Sequence, residues 1–132
     1  MCSDVVGEVE RTGEEERIYA MFMGYINCLE LQDITRVGEY IDDDFIQHNP
    51  KLQPSGKESL LMHLEKLWER RRRHPPDTRT VSVMVDGDCV IWLRSVRLPK
   101  PEDPKSTYEA FAIDIFRVAK GKLAEHWDTA RL

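Results

Sequence analysis

Apolar residues early in the chain recur at helical spacing: Ile18, Phe22, Tyr25 and Leu29, with Met21 and Ile26 widening the stripe. Thr12 followed by Glu15 has the spacing of a capping box, so a helix opens there and runs to the neighbourhood of Glu30. Residues before Thr12 are polar and expected to be loose. A short second helix is predicted from Asp33 to Glu39, with Ile34 and Val37 inward. Tyr40 to Asn49 reads as an extended stretch leading into a turn at Pro50. Ser55 and Glu58 repeat the capping-box spacing, and Leu60, Leu61, Leu64, Leu67 and Trp68 then share one face of a third helix. That helix ends in Arg70 to Arg73 and is stopped by His74, Pro75 and Pro76.

Beyond the prolines the period changes to two. Val81, Val83 and Val85 alternate with polar or flexible residues, Asp86-Gly87 signals a hairpin, and Cys89 to Leu98 is the returning strand. The segment PKPEDPK is a loop. Thr107 to Val118 is a long strand, Ala119-Lys120-Gly121 a tight turn, and Lys122 to Thr129 the last strand. The order is helix, helix, strand, helix, then four antiparallel strands, which defines an α+β fold. The expected architecture is one domain over residues 1–132. In it a curved, mainly antiparallel sheet wraps over three helices and leaves a cavity where sheet and helices part.

Strand parity makes the last hairpin informative. On its first strand Tyr108, Ala110, Ala112, Asp114 and Phe116 share a face, opposite Phe111, Ile113 and Ile115. On its second, Ala124, His126 and Asp128 share a face, opposite Leu123, Glu125 and Trp127. If Val118 pairs with Lys122 around a three-residue turn, Asp114 lies opposite His126 and Ala112 opposite Asp128. Opposed Cβ atoms are about 4.5–5.5 Å apart, so an acid–imidazole–acid cluster results. A slip of one residue would split the set. The polar face is either the solvent side of the sheet or the lining of a wet cavity; periodicity alone leaves both open.

Composition then removes whole classes. The chain has 132 residues, 41% hydrophobic and 33% charged, with a formal charge of −5. That acidity argues against a general nucleic-acid binder. No apolar run has membrane-spanning length, and the acidic start lacks the apolar core of a signal peptide. Cys2, Cys28 and Cys89 are odd in number and show no C-x-x-C spacing. Reduced, buried thiols in a cytoplasmic protein are expected, without a catalytic cysteine. No spacing supports a metal site. Asp42 to Asp44 reads as a solvated run, and His63 and His74 read as exposed. Arg70 to Arg73 reads as the favourable positive end of a helix, with anion binding as a lesser alternative.

Two segments carry a family resemblance. YIDDDFIQHNP followed by Gly56, and FAIDIFRVAKGKLAEHWD near the C-terminus, resemble the signature segments of SnoaL-like proteins of the nuclear transport factor 2-like superfamily. The likeness is to chains described as polyketide cyclases or predicted aldol-condensation proteins, and it runs from about Glu14 to Thr129. It implies a cone-shaped α+β barrel with a pocket between the concave sheet and the helices. It also implies that Asp114, His126 and Asp128 face the pocket, and that the Phe111/Trp127 face lies outside, where such proteins often dimerise. In the cyclases of this group an aspartate on the last strand is the general base; Asp128 matches it. The assisting histidine of the preceding strand is Asp114 here. Relatives also often carry histidine near the end of DCVIWL, where Trp92 and Leu93 stand.

The reading that follows is cofactor-free acid–base chemistry on a small-to-medium apolar carbonyl compound: a cyclase, isomerase or aldol-type catalyst. Asp128 is the expected base. Asp114 pairs with His126, which becomes the donor to the developing enolate. Gln47, His48 and Asn49 bind the substrate from the far wall, with Tyr108, Trp92 and Tyr25 as further substrate contacts. In an extended chain His48 faces opposite to Gln47 and Asn49, so all three line the pocket only if the chain turns at Pro50. A homodimer through the outer sheet face is expected, with no cofactor, nucleic acid or membrane. A non-catalytic binding module and an epoxide hydrolase-type activation of water are the alternatives.

Overall fold

The computed structural model describes residues 10–73 and 77–129. The expected loose N-terminal stretch up to residue 9, the fate of Cys2, the stop at residues 74–76 and the exposure of His74 lie outside the described residues. Three helices, α1 (Gly13–Glu30), α2 (Ile34–Glu39) and α3 (Lys57–Arg73), accompany five strands. These are β1 (Ile41–Gln47), β2 (Thr78–Asp86), β3 (Cys89–Pro99), β4 (Thr107–Ala119) and β5 (Lys122–Asp128).

The sheet order is β1-β5-β4-β3-β2. β1 runs parallel to β5 and every other pairing is antiparallel. The sheet is curved over the helices but does not close; β1 and β2 are its edges. No described helix is long and apolar enough to cross a membrane.

The predicted capping box at α1 forms. Thr12 Oγ1 accepts the Glu15 N–H at 3.1 Å and Glu15 Oε1 accepts the Thr12 N–H at 2.9 Å. The second Glu15 oxygen accepts the Gly87 N–H at 3.0 Å, tying the helix start to the β2–β3 hairpin. These backbone donors, Thr12 first, hold the Glu15 carboxyl below its ordinary value. The second predicted box, Ser55 with Glu58, does not form. Gly56 has φ +119°, which turns the chain before Lys57, and the Ser55 hydroxyl is spent on β1. It accepts the Gln47 N–H at 2.9 Å and donates to the Gln47 carbonyl at 3.3 Å, satisfying backbone groups that the strand leaves unpaired.

The core sits between α1 and the concave face. Phe22 lies within 5.4–5.6 Å, ring to ring, of Tyr25, Trp92 and Phe116. Val37, Ile41, Val90 and Leu123 are fully buried around it. Burying each such side chain contributes about 1.5–3 kcal/mol before entropy is counted.

The register of the last hairpin differs from expectation in two steps. The turn is two residues, Lys120 (φ 53°) and Gly121 (φ 75°), so Ala119 pairs with Lys122. Two successive residues at positive φ make the tight mirror-image turn that suits the twist of a hairpin. A bulge at Ala124 then adds one residue on β5, between the Val118–Leu123 and Arg117–Glu125 pairs. Asp114 therefore lies opposite Asp128, and Phe116 opposite His126. Each step shifts the pairing by one residue, and together they preserve parity, so Asp114, His126 and Asp128 still share the concave face. Leu123, expected beside Glu125 and Trp127, lies before the bulge and faces the core with no exposure. The opposite face leaves Phe111 58%, Ile113 39% and Trp127 36% exposed.

Candidate active site

β1 delivers three consecutive side chains in alternate directions. Gln47 is buried and pairs in register with His126. His48 points to the other face, where its ring stacks on Trp127 at 4.9 Å and 8° and its Nε2 bonds Glu125 Oε2 at 2.7 Å. That bond, then one from Arg117, holds the Glu125 carboxyl below its ordinary value. Asn49 returns to the inner side and caps the 3₁₀ turn Pro50–Leu52, its Oδ1 accepting the Lys51 N–H at 2.8 Å. The expectation that His48 lines the pocket is thus corrected: strand parity carries it outward, and the turn begins one residue too late to bring it back.

Asn49 reaches the last strand. Its Nδ2 donates to Asp128 Oδ2 at 2.8 Å. Behind this pair lies a buried chain of hydrogen bonds. Gln47 Oε1 accepts the Asn49 N–H at 3.0 Å and bonds His126 Nδ1 at 2.7 Å. His126 Nε2 bonds Asp114 Oδ1 at 2.8 Å and stands 4.0 Å from Asp128 Oδ2. The Asn49 N–H fixes which end of the Gln47 amide is oxygen, so His126 Nδ1 must donate to it. Nε2 is taken by the Asp114 carboxylate, so both ring nitrogens are engaged within the protein and neither is presented to the cleft. The expected role of His126 as a donor to the enolate is corrected accordingly.

Arg94 completes the group. One guanidinium nitrogen bonds Asp114 Oδ2, and the guanidinium carbon lies 4.5 Å over the Trp92 ring. Asp114 therefore sits between an arginine and an imidazole. Arg94 is absent from the sequence expectations. Its signal was nonetheless present: it follows Val90 and Trp92 at strand parity, and a cation in an otherwise apolar inward row needs a partner.

A cleft of about 1330 Å³ opens between α3 and the ends of β3, β4 and β5. Asn49, Arg94, Ala112 and Asp128 line it, as does His63, which is half-buried rather than exposed. Asp128 Oδ1 is buried and has no hydrogen-bond partner among the described residues. Gln47, Asp114 and His126 form the layer behind this wall. The other expected substrate contacts do not line the cleft. Trp92 is packed in the core with its Nε1 donating to Thr80 Oγ1 at 3.0 Å. Tyr25 is buried beside Phe22, and burial, then the charge of Asp114, pushes its hydroxyl well above the ordinary value. Tyr108 is 42% exposed, at the end of β4 far from Phe116 and the core. Cys89 stays a thiol, because burial first and Asp88 next raise its pKa.

Ligand atoms of Asp114, His126 and Asp128 lie within 4.8 Å of one another, the spacing of a metal site. The donors do not fit one. Both ring nitrogens are engaged, Asp114 is shared between Arg94 and His126, and a guanidinium beside the carboxylates supplies the positive charge an ion would bring.

Comparison with known proteins agrees with this architecture. The model of a family described as the SnoaL-like domain matches residues 22–126. No curated protein matches the sequence significantly. Among solved structures, a candidate polyketide cyclase from Bacillus cereus superposes with a TM-score of 0.63 at 23% identity, covering 86% of this chain and 73% of that one. An LEH-like epoxide hydrolase of M. tuberculosis gives 0.61 at 18% identity, with 87% and 83% covered. An NTF2-like protein of unknown function from Burkholderia pseudomallei gives 0.63 at 10% identity, with 87% and 91% covered. At these identities the likeness is one of fold: the chain has the cone-like NTF2 arrangement with an open sheet.

Proposed function

This chain belongs to the SnoaL-like domain family, and on that premise we propose that it is a cofactor-independent acid–base catalyst acting on a carbonyl compound, with Asp128 as its base. The observation that carries the reading is the asymmetry of the Asp128 carboxylate. One oxygen is held by Asn49, while the other is buried without a partner among the described residues, on a side chain that lines the cleft. A base needs such a fixed oxygen with a free lone pair.

In the proposed reaction the Asp128 carboxylate takes a proton from the carbon α to the substrate carbonyl. The electron pair of that C–H bond moves to the carbonyl oxygen as an enolate. Arg94, fixed by Asp114 on the strand wall of the cleft, is the cation assigned to that developing charge, a task for which a fixed guanidinium suits better than a solvated one. Return of the proton to another carbon gives an isomerase. Attack of the enolate on a second carbonyl forms the new carbon–carbon bond of a cyclase or aldol reaction, and the proton passes from Asp128 to the new alkoxide. Asp114, His126 and Gln47 are positioning residues in this scheme: they hold Arg94 and Asn49, which touch the reacting groups.

The test is deuterium exchange from D₂O into the α-positions of aryl ketones, followed by mass spectrometry. Wild type is expected to exchange. Asp128→Asn, which still accepts the Asn49 bond, should lose about 10²-fold or more of the rate. Its stability should stay within about 1–2 kcal/mol of wild type. A fully active Asp128→Asn variant would refute the assignment, and ketone binding without exchange in wild type would identify a binding module. A second reading, activation of water for epoxide opening, is favoured by the same Asn49–Asp128 pair, since an amide donor beside a carboxylate can orient a water. Incorporation of ¹⁸O from labelled water into a diol product would select it.

A further inference from the structure

The cleft carries charge opposite in sign to the chain. The formal charge is −5. Yet Lys66, Arg70, Arg71 and Arg73 of α3 and Arg94 and Arg97 of β3 are all among the residues that border the cleft. The carboxylates on the same walls are Glu69 and Asp128. Glu69 already faces Arg73 at 3.6 Å, and Asp128 is held by Asn49. Arg94 is engaged with Asp114. Lys66, Arg70, Arg71 and Arg97 have no ion-pair partner among the described residues.

Burial, then the like charges of Arg94 and Arg70, pushes the Arg71 guanidinium below its ordinary value. A helix end explains cations on solvated side chains. It does not explain a half-buried arginine crowded by Arg70 on its own helix and by Arg94 across the cleft, an arrangement that an incoming anion relieves. Leu60, Leu64 and Leu67 of α3 and Val96 and Leu98 of β3 add apolar lining to the same cleft.

We propose that the ligand of this cleft is an amphipathic carbonyl compound that also bears an oxyanion, a carboxylate or a phosphate. Arg70 and Arg71 hold the oxyanion, the apolar body lies between the α3 leucines and β3, and the carbonyl end reaches Arg94 and Asp128. The carbonyl end rests on the acid–base reading given above; the oxyanion rests only on the arginines. Guanidinium groups suit it because they present paired donors to carboxylate and phosphate oxygens.

The experiment is calorimetric titration of the full chain with 2-naphthoate, 2-naphthyl phosphate and the neutral 2-acetonaphthone. At least one anion should bind about tenfold or more tightly than the ketone. That advantage should shrink between about 0.05 M and about 0.5 M salt, as screening requires. It should vanish in the double variant Arg70→Gln/Arg71→Gln, with ketone affinity unchanged. Arg70→Gln alone, at an exposed position, should weaken the anion alone and serves if the double variant misfolds. Which anion binds tighter separates carboxylate from phosphate. Equal affinity for anion and ketone, or an anion advantage retained in the arginine variants, would overturn the proposal. Asp128→Asn keeps the two ideas separable. If the base assignment fails, exchange persists in that variant while the anion advantage stands. If the oxyanion fails, Asp128→Asn loses exchange and no anion advantage is seen.

Discussion

Replacing Gln47 by leucine tests the buried network where it is most connected. Gln47 Oε1 is the acceptor for two donors, the Asn49 N–H at 3.0 Å and His126 Nδ1 at 2.7 Å. Leucine removes the oxygen and leaves both donors buried, at about 1–3 kcal/mol each. The same change removes Gln47 Nε2, a buried donor with no partner among the described residues, and recovers a similar amount once. The net expectation is a loss of about 1–3 kcal/mol. With a urea slope of about 1–3 kcal/mol/M, the midpoint should fall by about 1 M. Buried Trp68 and Trp92 report the transition by fluorescence. Gln47→Glu keeps an oxygen for both donors and discards the unpaired amide, so it should recover most of the loss. Turnover should fall further than stability in Gln47→Leu, because Asn49 loses the bond that orients it toward Asp128. A leucine variant within about 0.5 kcal/mol of wild type, the range of neutral surface changes, would refute the network.

The remaining predictions use other parts of the fold. His48→Ala should leave turnover within about twofold, since exposed side chains outside a site contribute little to it, and a loss as deep as that of Asp128→Asn would return His48 to the site. Glu15 titrates below its ordinary value of 4.5 in the folded state, so its contribution is fully present above that value and is lost as pH falls through the depressed folded value. Thermal scans should therefore show a steeper acid loss for wild type than for Glu15→Gln, and identical acid slopes would contradict this. We propose that the exposed Phe111, Ile113 and Trp127 face pairs with a second copy of the chain; sedimentation of a monomer at micromolar concentration would dispose of that.

Helix positions were legible because their signals are local. Thr12 and Glu15 need only three residues of chain to find each other, and Ile18, Phe22 and Tyr25 need only the helical period. The failures were long-range or depended on backbone geometry. Ser55 and Glu58 have the right spacing for a capping box, but Gly56 takes a positive φ and the strand end at Gln47 offers unpaired groups, so the hydroxyl goes there. The two-residue turn moved Leu123 to the core, and the bulge at Ala124, which has no composition signal, returned His126 and Asp128 to the inner face. For Arg94 the strand pattern shows an inward cation but not its partner, because Asp114 lies on the next strand and an ion pair across a ladder leaves no mark within one strand.

Parity explains both what was legible in the site and what was not. The alternation that predicted a shared face for Asp114, His126 and Asp128 survived two separate register changes, because their sum is even. The same alternation forced a choice among Gln47, His48 and Asn49, and β1 resolves it through its parallel pairing with β5. His48 N–H donates to the His126 carbonyl at 3.1 Å, which aligns Gln47 with His126 on the inner face. Once that bond is made, His48 must stack on Trp127 and Asn49 must turn inward. The side chain that reaches Asp128 is thus selected by backbone pairing, and the histidine's own chemistry has no part in the choice. Moving a histidine onto the cleft wall would require exchanging positions: Asn49→His, with His48→Asn, should place an imidazole beside Asp128 where His48 itself cannot reach.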